Sequence, residues 1–237
     1  MPTTPQTWLI TGCSSGFGEF FVRQLRAQGD NVIATGRNAA TKLAHLKDTG
    51  ASILDLDVAA PVPEIEAKMA EAWGLYPNGT DVVVNNAGYI LSGVFEELTS
   101  RKSREQDMLA CFKTNFHGPL NITRALLPRL RAKGKGTMLF MSSQAGFHAD
   151  ANATGYVATK HALEGAVECR SKELAIFAPD IKVLLVEPSY FRTRAFGNIN
   201  RVPQHITLYA EFNKAVFDAV TSAVAKEPGT RTRRSRS

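Results

Sequence analysis

At 237 residues, with 44% hydrophobic and 21% charged side chains, the chain is long enough for one substantial core and has an ordinary globular composition. Its formal charge of +6 is concentrated at one end, because without Arg231, Arg233, Arg234 and Arg236 the remainder carries only +2. That excludes the basic body of a nucleic-acid binder, and no apolar stretch approaches the length of a membrane span. Cys13, Cys111 and Cys169 are odd in number and far apart, which argues against a disulfide framework or a metal site and for a reduced, cytoplasmic setting. No signal-peptide pattern precedes the first apolar run.

Residues 7–18, TWLITGCSSGFG, read as a short buried strand, a glycine-rich turn and the start of a helix. Gly12, Gly16 and Gly18 let backbone approach a ligand closely, and the unpaired N–H groups of the helix behind them form a seat for a pyrophosphate. The spacing GxxxGxG differs from the common GxGxxG fingerprint, so the turn alone is weak evidence of a dinucleotide site. Strands are expected at 31–35, 52–56, 81–84, 137–141 and 181–186. Helices should cover 39–47, 64–73, 103–131 (with Pro119 and Pro128 as kinks or breaks), 156–177 and 208–225. Alternating strands and helices, with strands nearly continuous in apolar residues, predict an α/β fold: a single Rossmann-like, doubly wound parallel sheet in the order 3-2-1-4-5-6. The domain should occupy residues 1–229, with a substrate loop at about 189–207 and a basic, disordered tail at 230–237.

Candidate chemistry lies at the strand ends. Gly36-Arg37 closes the second strand with no carboxylate, so Arg37, helped by the Ser14 hydroxyl, would accommodate the 2′-phosphate of NADP; the alternative is a solvated arginine. Asp57 and Asn86 follow the third and fourth strands, where they could meet adenine and the cofactor crevice or simply serve local turns. Tyr156 and Lys160, four apart on a helix, face the same way, and the lysine cation is expected to lower the tyrosine pKa from about 10 toward neutrality. Tyr156 could then exchange a proton with a carbonyl/alcohol pair while Ser143 bonds the substrate oxygen. A Tyr–Lys pair in isolation is more simply an inward phenol and a solvated amine.

Taken together, TGCSSGFG, NNAG, a serine thirteen residues before the tyrosine, and YVATK resemble the short-chain dehydrogenase/reductase family over about residues 7–193. Arg37 resembles the NADP-preferring members, and ITGCSSGFG with EPSYFRT looks most like members acting on steroids, retinoids or other bulky hydrophobic carbonyls. The resemblance implies that Asn115 holds a water in a relay with Tyr156 and Lys160, and that Lys160 also holds the nicotinamide ribose. It implies that Phe17 and Pro188 border the cofactor and that Thr193 contacts the nicotinamide carboxamide. Arg124 is either near the cofactor channel or an exposed helix arginine. The chain departs from the family pattern at Pro188-Ser189, where Pro-Gly is usual, and after residues 226–229, where a further helix and a seventh strand are expected. Their absence would expose an apolar flank and the edge of the last strand.

The expected activity is NADP(H)-dependent interconversion of a ketone or aldehyde and an alcohol, on a hydrophobic small-molecule substrate, with a homo-oligomer possible. The alternative is a protein that binds the cofactor but turns over poorly, and an RNA- or membrane-associating tail is a third reading. Tyr89, Phe147, His148, Phe191, Phe196 and Ile199 are candidates for the pocket wall.

Overall fold

Residues 4–99, 102–189 and 199–226 are described by a computed structural model. Among them are eight strands: β1 (Thr7–Ile10), β2 (Asn31–Gly36), β3 (Ser52–Asp55), β4 (Val82–Asn85), β5 (Leu91–Ser92), β6 (Gly136–Met141), β7 (Ile181–Val186) and β8 (Asn200–Arg201). Six pair in parallel in the order β3-β2-β1-β4-β6-β7, which is the order expected for the six principal strands. The helices are α1 (Gly16–Ala27), α2 (Ala39–Lys42), α3 (Val62–Gly74), α4 (Phe95–Thr99), α5 (Lys102–Phe112), α6 (Gly118–Lys133), α7 (Thr154–Phe177) and α8 (Ala210–Lys226). None of the described helices is long and apolar enough to cross a membrane.

The period-2 geometry of a strand explains why the strands lack polar alternation. Leu9, Ile33 and Val83 point to one face and pack with Ile65, Met69 of α3 and Ile122, Leu126 of α6. Their neighbours Ile10, Val32, Ala34, Val82 and Val84 point to the other face and pack with Val22 and Leu25 of α1 and with Leu43 and Leu46. A third cluster joins Met138 and Phe140 of β6 to Leu163, Val167 and Leu174 of α7. The far end of the sheet is barer: β7 is the edge, Leu184 on it is half exposed, and Ile176 and Phe177 at the end of α7 are exposed.

Four elements differ from expectation. The helix expected over 39–47 stops as α2 at Lys42 and gives way to a 3-10 helix, Ala44–Thr49, and α4 was not expected. The long helix expected over 103–131 is divided by a π-helical turn, Lys113–His117, into α5 and α6. Pro119 supplies the reason: it has no N–H for the carbonyl four residues back, that of Asn115. The Gly118 N–H instead reaches five residues back, to the Lys113 carbonyl. Pro128, by contrast, is accommodated inside α6. The β5–β8 ribbon was not expected, since each strand has only two residues; Leu91 and Val202 beside it join Leu98 and Cys111 in a small satellite core.

The amino ends of the central strands β1 and β4 are joined through Asp81. Its carboxylate accepts from the Thr7 N–H at 2.9 Å and from Lys133 Nζ at 2.7 Å, and Lys133 also bonds the Thr80 carbonyl at 3.1 Å. Burial alone would raise this carboxyl's pKa, but the Lys133 and Thr7 bonds outweigh it and hold the group below its ordinary value. Its stabilisation is therefore fully present above the unfolded-state value and fades as pH falls through the folded-state one. Asp81→Asn should lower stability by about 1–2 kcal/mol at neutral pH, the worth of a charge-assisted hydrogen bond, and chemical denaturation should show the gap closing below about pH 4.

Candidate active site

The ends of β1 and β4 are pulled together by hydrogen bonds. The Thr11 hydroxyl accepts from the N–H groups of Asn86 (3.0 Å) and Ala87 (2.9 Å). The Asn86 carboxamide donates back to the carbonyls of Thr11 (2.8 Å) and Gly12 (3.2 Å). Gly12 must be glycine here, since its φ is +72° and a Cβ would stand 2.8 Å from the Ala87 Cα. Gly18, one turn into α1, packs against the Gly12 carbonyl and the Asn86 amide and leaves no room for a Cβ. It shapes the crevice and does not line it. Ser15 caps α1 without a side-chain bond to the helix, so the first N–H groups of α1 have no partner from that cap. The Cys13 thiol lies buried under the turn, donating to the Ile10 carbonyl at 3.1 Å, and burial pushes its pKa up to about 12, which suits packing and not redox chemistry.

A cavity of about 950 Å³ opens over these strand ends. At one end it is lined by Ser14, Gly16, Phe17, Arg37 and Asp57, all expected there, with the Arg37 side chain exposed to it. Asp57 also serves its own turn, accepting from the Ala59 N–H at 2.9 Å. Lys42 of α2 stands on the same rim and was missed; its only signal was its place one short helix after Arg37.

Farther along, the same cavity is lined by Asn86, Ser143, Tyr156, Lys160 and Pro188. Ser143 follows β6 and caps a short 3-10 turn, its hydroxyl accepting from the Ala145 N–H at 3.2 Å. The Ser143 hydroxyl is near enough to the Tyr156 hydroxyl to favour the ionised phenol. Lys160 is buried; its ammonium donates to the Met141 carbonyl at 2.7 Å and lies 5.7 Å from the centre of the Tyr156 ring. Burial brings the Lys160 pKa down to about 8, with Cys111 and Glu164 opposing it.

Here one expectation is corrected. The Tyr156 phenol is not acidified toward neutrality. Burial holds its pKa above the ordinary value, the Ser143 hydroxyl works in the opposite direction, and the Lys160 cation points to a backbone carbonyl and to the ring face.

Asn115 is buried beneath this group, in the π-helical turn. Its carboxamide bonds both backbone groups of Tyr89 (Tyr89 N–H to Oδ1 at 3.0 Å, Nδ2 to Tyr89 O at 2.9 Å) and reaches Thr159 Oγ1 at 3.1 Å. Thr159 in turn donates to the Tyr156 carbonyl at 2.7 Å. Glu164, a turn beyond Lys160 and also missed, accepts from the Ser142 hydroxyl.

Of the proposed pocket wall, Tyr89 and Ile199 line the cavity, whereas Phe147 is exposed and His148 pairs with Asp150 at 3.4 Å. Arg124 sits on the exposed face of α6, bonded to Asn121. Thr193, Phe191 and Phe196 lie outside the described residues, as does the basic tail. Phe212, Val216 and Val220 of α8 also line the cavity, and nothing in their spacing distinguishes that role from core packing.

Comparison with known proteins places this geometry. The family model for short chain dehydrogenases matches residues 6–204. The chain belongs to the short-chain dehydrogenase family. It is an oxidoreductase of that family, and 37% identical over 193 residues to the oxidoreductase claN of Passalora fulva, spanning 79% of this chain and 83% of that one. A short-chain dehydrogenase structure from Streptomyces avermitilis superposes with a TM-score of 0.80 at 36% identity, covering 95% of this chain and 80% of that one. A variant of the actinorhodin polyketide ketoreductase, solved with NADPH, superposes with a TM-score of 0.73 at 28% identity, covering 92% and 82%.

The buried lysine makes a prediction for this dehydrogenase. With a folded-state pKa near 8 against an ordinary 10.5, the folded protein holds fewer protons than the unfolded chain between those values. Stability from this group therefore rises with pH across that window. Measured without added nucleotide, the wild type should gain on Lys160→Met by up to roughly 3 kcal/mol between pH 7.5 and 10.5, read by denaturant titration at each pH.

Proposed function

We propose that the protein is an NADP(H)-dependent oxidoreductase that interconverts a ketone or aldehyde with its alcohol, Tyr156 acting as proton donor and acceptor. One observation carries this reading: the glycine turn with Arg37 and Lys42, and the Ser143–Tyr156–Lys160 group, line a single cavity. The residues present fit a dinucleotide. Gly12 and Gly16 hold positive φ angles that keep side chains out of the crevice, and the Ser15 side chain makes no capping bond at the start of α1, the helix end against which a pyrophosphate would sit. Arg37, Lys42 and Ser14 supply two cations and a hydroxyl where a 2′-phosphate would lie, and Asp57 stands where it could accept from adenine. The NADPH in the similar ketoreductase supports the same choice.

When bound, the nicotinamide supplies or accepts the hydride. The substrate oxygen would take hydrogen bonds from the Ser143 and Tyr156 hydroxyls. A phenol kept protonated by its burial is suited to giving its proton to that oxygen as charge develops on it. Lys160 would hold the ribose hydroxyls beside the phenol and share the proton path. Asn115 uses its carboxamide on Tyr89 and Thr159, so its part in a water relay would fall to the backbone carbonyl that Pro119 leaves without its usual helical partner. Phe17, Asn86 and Pro188 would wall the cofactor, and Thr193 would meet the carboxamide of the nicotinamide.

Two measurements test this. In a fluorescence titration, Arg37→Ala should weaken NADPH at least about 10-fold and leave NADH within about 2-fold, as expected for loss of a phosphate partner; equal losses for both would remove the NADP preference. On a panel of ketones with NADPH, Tyr156→Phe should cut turnover by about 100-fold or more while nucleotide affinity stays within a few-fold. Undiminished turnover would overturn the assignment, and tight NADPH binding by an inactive wild type would favour a cofactor-binding protein.

A further inference from the structure

The cavity does not end at Tyr156. Its lining also includes Phe212, Val216, Ala219 and Val220, which recur on one face of α8 as an apolar wall, together with Ser92 and Asn152. A buried carboxylate is bonded to α8 and to the segment just ahead of it, beside a Tyr209–Glu96 hydrogen bond of 2.7 Å and the Arg201 guanidinium 4.4 Å from the Phe217 ring centre. Glu97 of α4 is 1% exposed, and its Oε1 accepts from the N–H groups of His205 (2.9 Å) and Ile206 (3.2 Å), just ahead of the helix. Its Oε2 accepts from Asn213 Nδ2 at 3.1 Å, and the His205 ring stands 3.8 Å away.

Asn213, itself 2% exposed, passes the connection on. Its Oδ1 accepts from Asn152 Nδ2 at 2.8 Å, and Asn152 Oδ1 accepts from the Ser92 hydroxyl at 3.1 Å. Asn152 adopts a left-handed φ of 67° and its carbonyl accepts from the Gly93 N–H at 2.9 Å, so its position is fixed from both sides. The chain Glu97–Asn213–Asn152–Ser92 therefore starts inside the α4–α8 contact and ends on the cavity wall.

Burying a carboxylate is unfavourable unless donors surround it, and here they do: burial would raise the Glu97 pKa, but the His205, Ile206 and Asn213 bonds hold it below the ordinary value. An apolar side chain could pack α8 as firmly. What the charged, directional set adds is a single docked position for the helix.

We infer that Glu97 is a positioning residue for the substrate: it latches α8 through Asn213 in the one register that turns the Phe212–Val220 face into the cavity, and so sets the grip on the apolar, non-reacting part of a bulky carbonyl compound. This rests on the carbonyl-reductase reading above. Neither Glu97 nor Asn213 touches the reacting atoms, so the latch acts on binding of the substrate body and not on proton transfer.

The test uses the full chain and two ketones, acetone and the bulkier benzylacetone, with NADPH. Glu97→Gln keeps the shape but sets an amide N–H₂ against the Asn213 amide, donor to donor. It should raise KM for benzylacetone about 10-fold, the worth of one buried hydrogen bond, with kcat and the KM for acetone within about 2-fold. Hydrogen exchange at the amides of residues 207–222, in protein without nucleotide, should quicken about 10-fold while β1 and β4 stay protected. Adding Asn213→Asp to that variant restores an acceptor opposite the new amide and should bring both readouts back to within about 3-fold of wild type. Unchanged exchange in Glu97→Gln, or a double variant worse than the single one, would overturn the latch. Faster exchange with equal KM changes for the two ketones would overturn the grip on the substrate. A wild type that turns over neither ketone would defeat the carbonyl reading and the grip with it, and the exchange arm would still report the latch separately.

Discussion

The structure depends on a short set of hydrogen bonds between the ends of two neighbouring strands. Parallel strands bring all their carboxyl ends to one edge, but that edge becomes a crevice only where adjacent connections leave in opposite directions. β1 runs forward into α1 and β4 runs on toward α5, and Thr11 with Asn86 ties the two departures together. The cost of that closeness is borne by missing side chains. Gly12 sits against Ala87, and Gly18 sits against both Gly12 and Asn86, so a methyl group at either position would push the strand ends apart. The glycines of the turn thus serve two purposes at once: some face the cavity, and others let the cavity exist.

On the other side of β4 the same economy of contacts recurs around Asn115. Pro119 breaks the α-helical ladder, a π-helical turn takes up the mismatch, and the asparagine in that turn becomes buried against the chain just after NNAG. Gly88 is small because the Asn115 carboxamide comes within 3.1 Å of where its Cβ would be, with Lys160 Nζ 4.0 Å away. π-Helical turns commonly mark functional positions for this reason: they displace one carbonyl from the regular ladder without ending the helix.

Much of this was legible beforehand, and the reason differs from place to place. The sheet order followed from six apolar runs separated by helix-length segments, a pattern that leaves few topologies open. Ser143, Tyr156, Lys160, Arg37 and Asp57 were legible because each sits at a fixed offset from a strand end or on one helical face. Lys42, Glu164 and the α8 wall were not, because a cation on a surface helix, a glutamate one turn past a lysine and an apolar helical stripe each have commoner explanations. The β5–β8 ribbon is too short to carry periodicity at all. The error in the acidity of Tyr156 has another origin. Spacing places Lys160 on the same face as the phenol, but it does not reveal that the Met141 carbonyl, far away in sequence, lies nearer to the ammonium.

That carbonyl changes how the tyrosine–lysine pair should be understood. An ammonium directed at a phenol oxygen would make a base; an ammonium directed at a backbone carbonyl, buried, with a pKa of about 8, is itself close to losing its proton near neutrality. The phenol, raised by burial beside Ser143, then holds its proton more firmly than the lysine does relative to their ordinary values. The asymmetry is the opposite of what the spacing of Tyr156 and Lys160 suggests, a lysine charge drawn toward the phenol oxygen. Two burial effects thus act in opposite directions on an acid and a base one helical turn apart, which same-face spacing alone does not reveal.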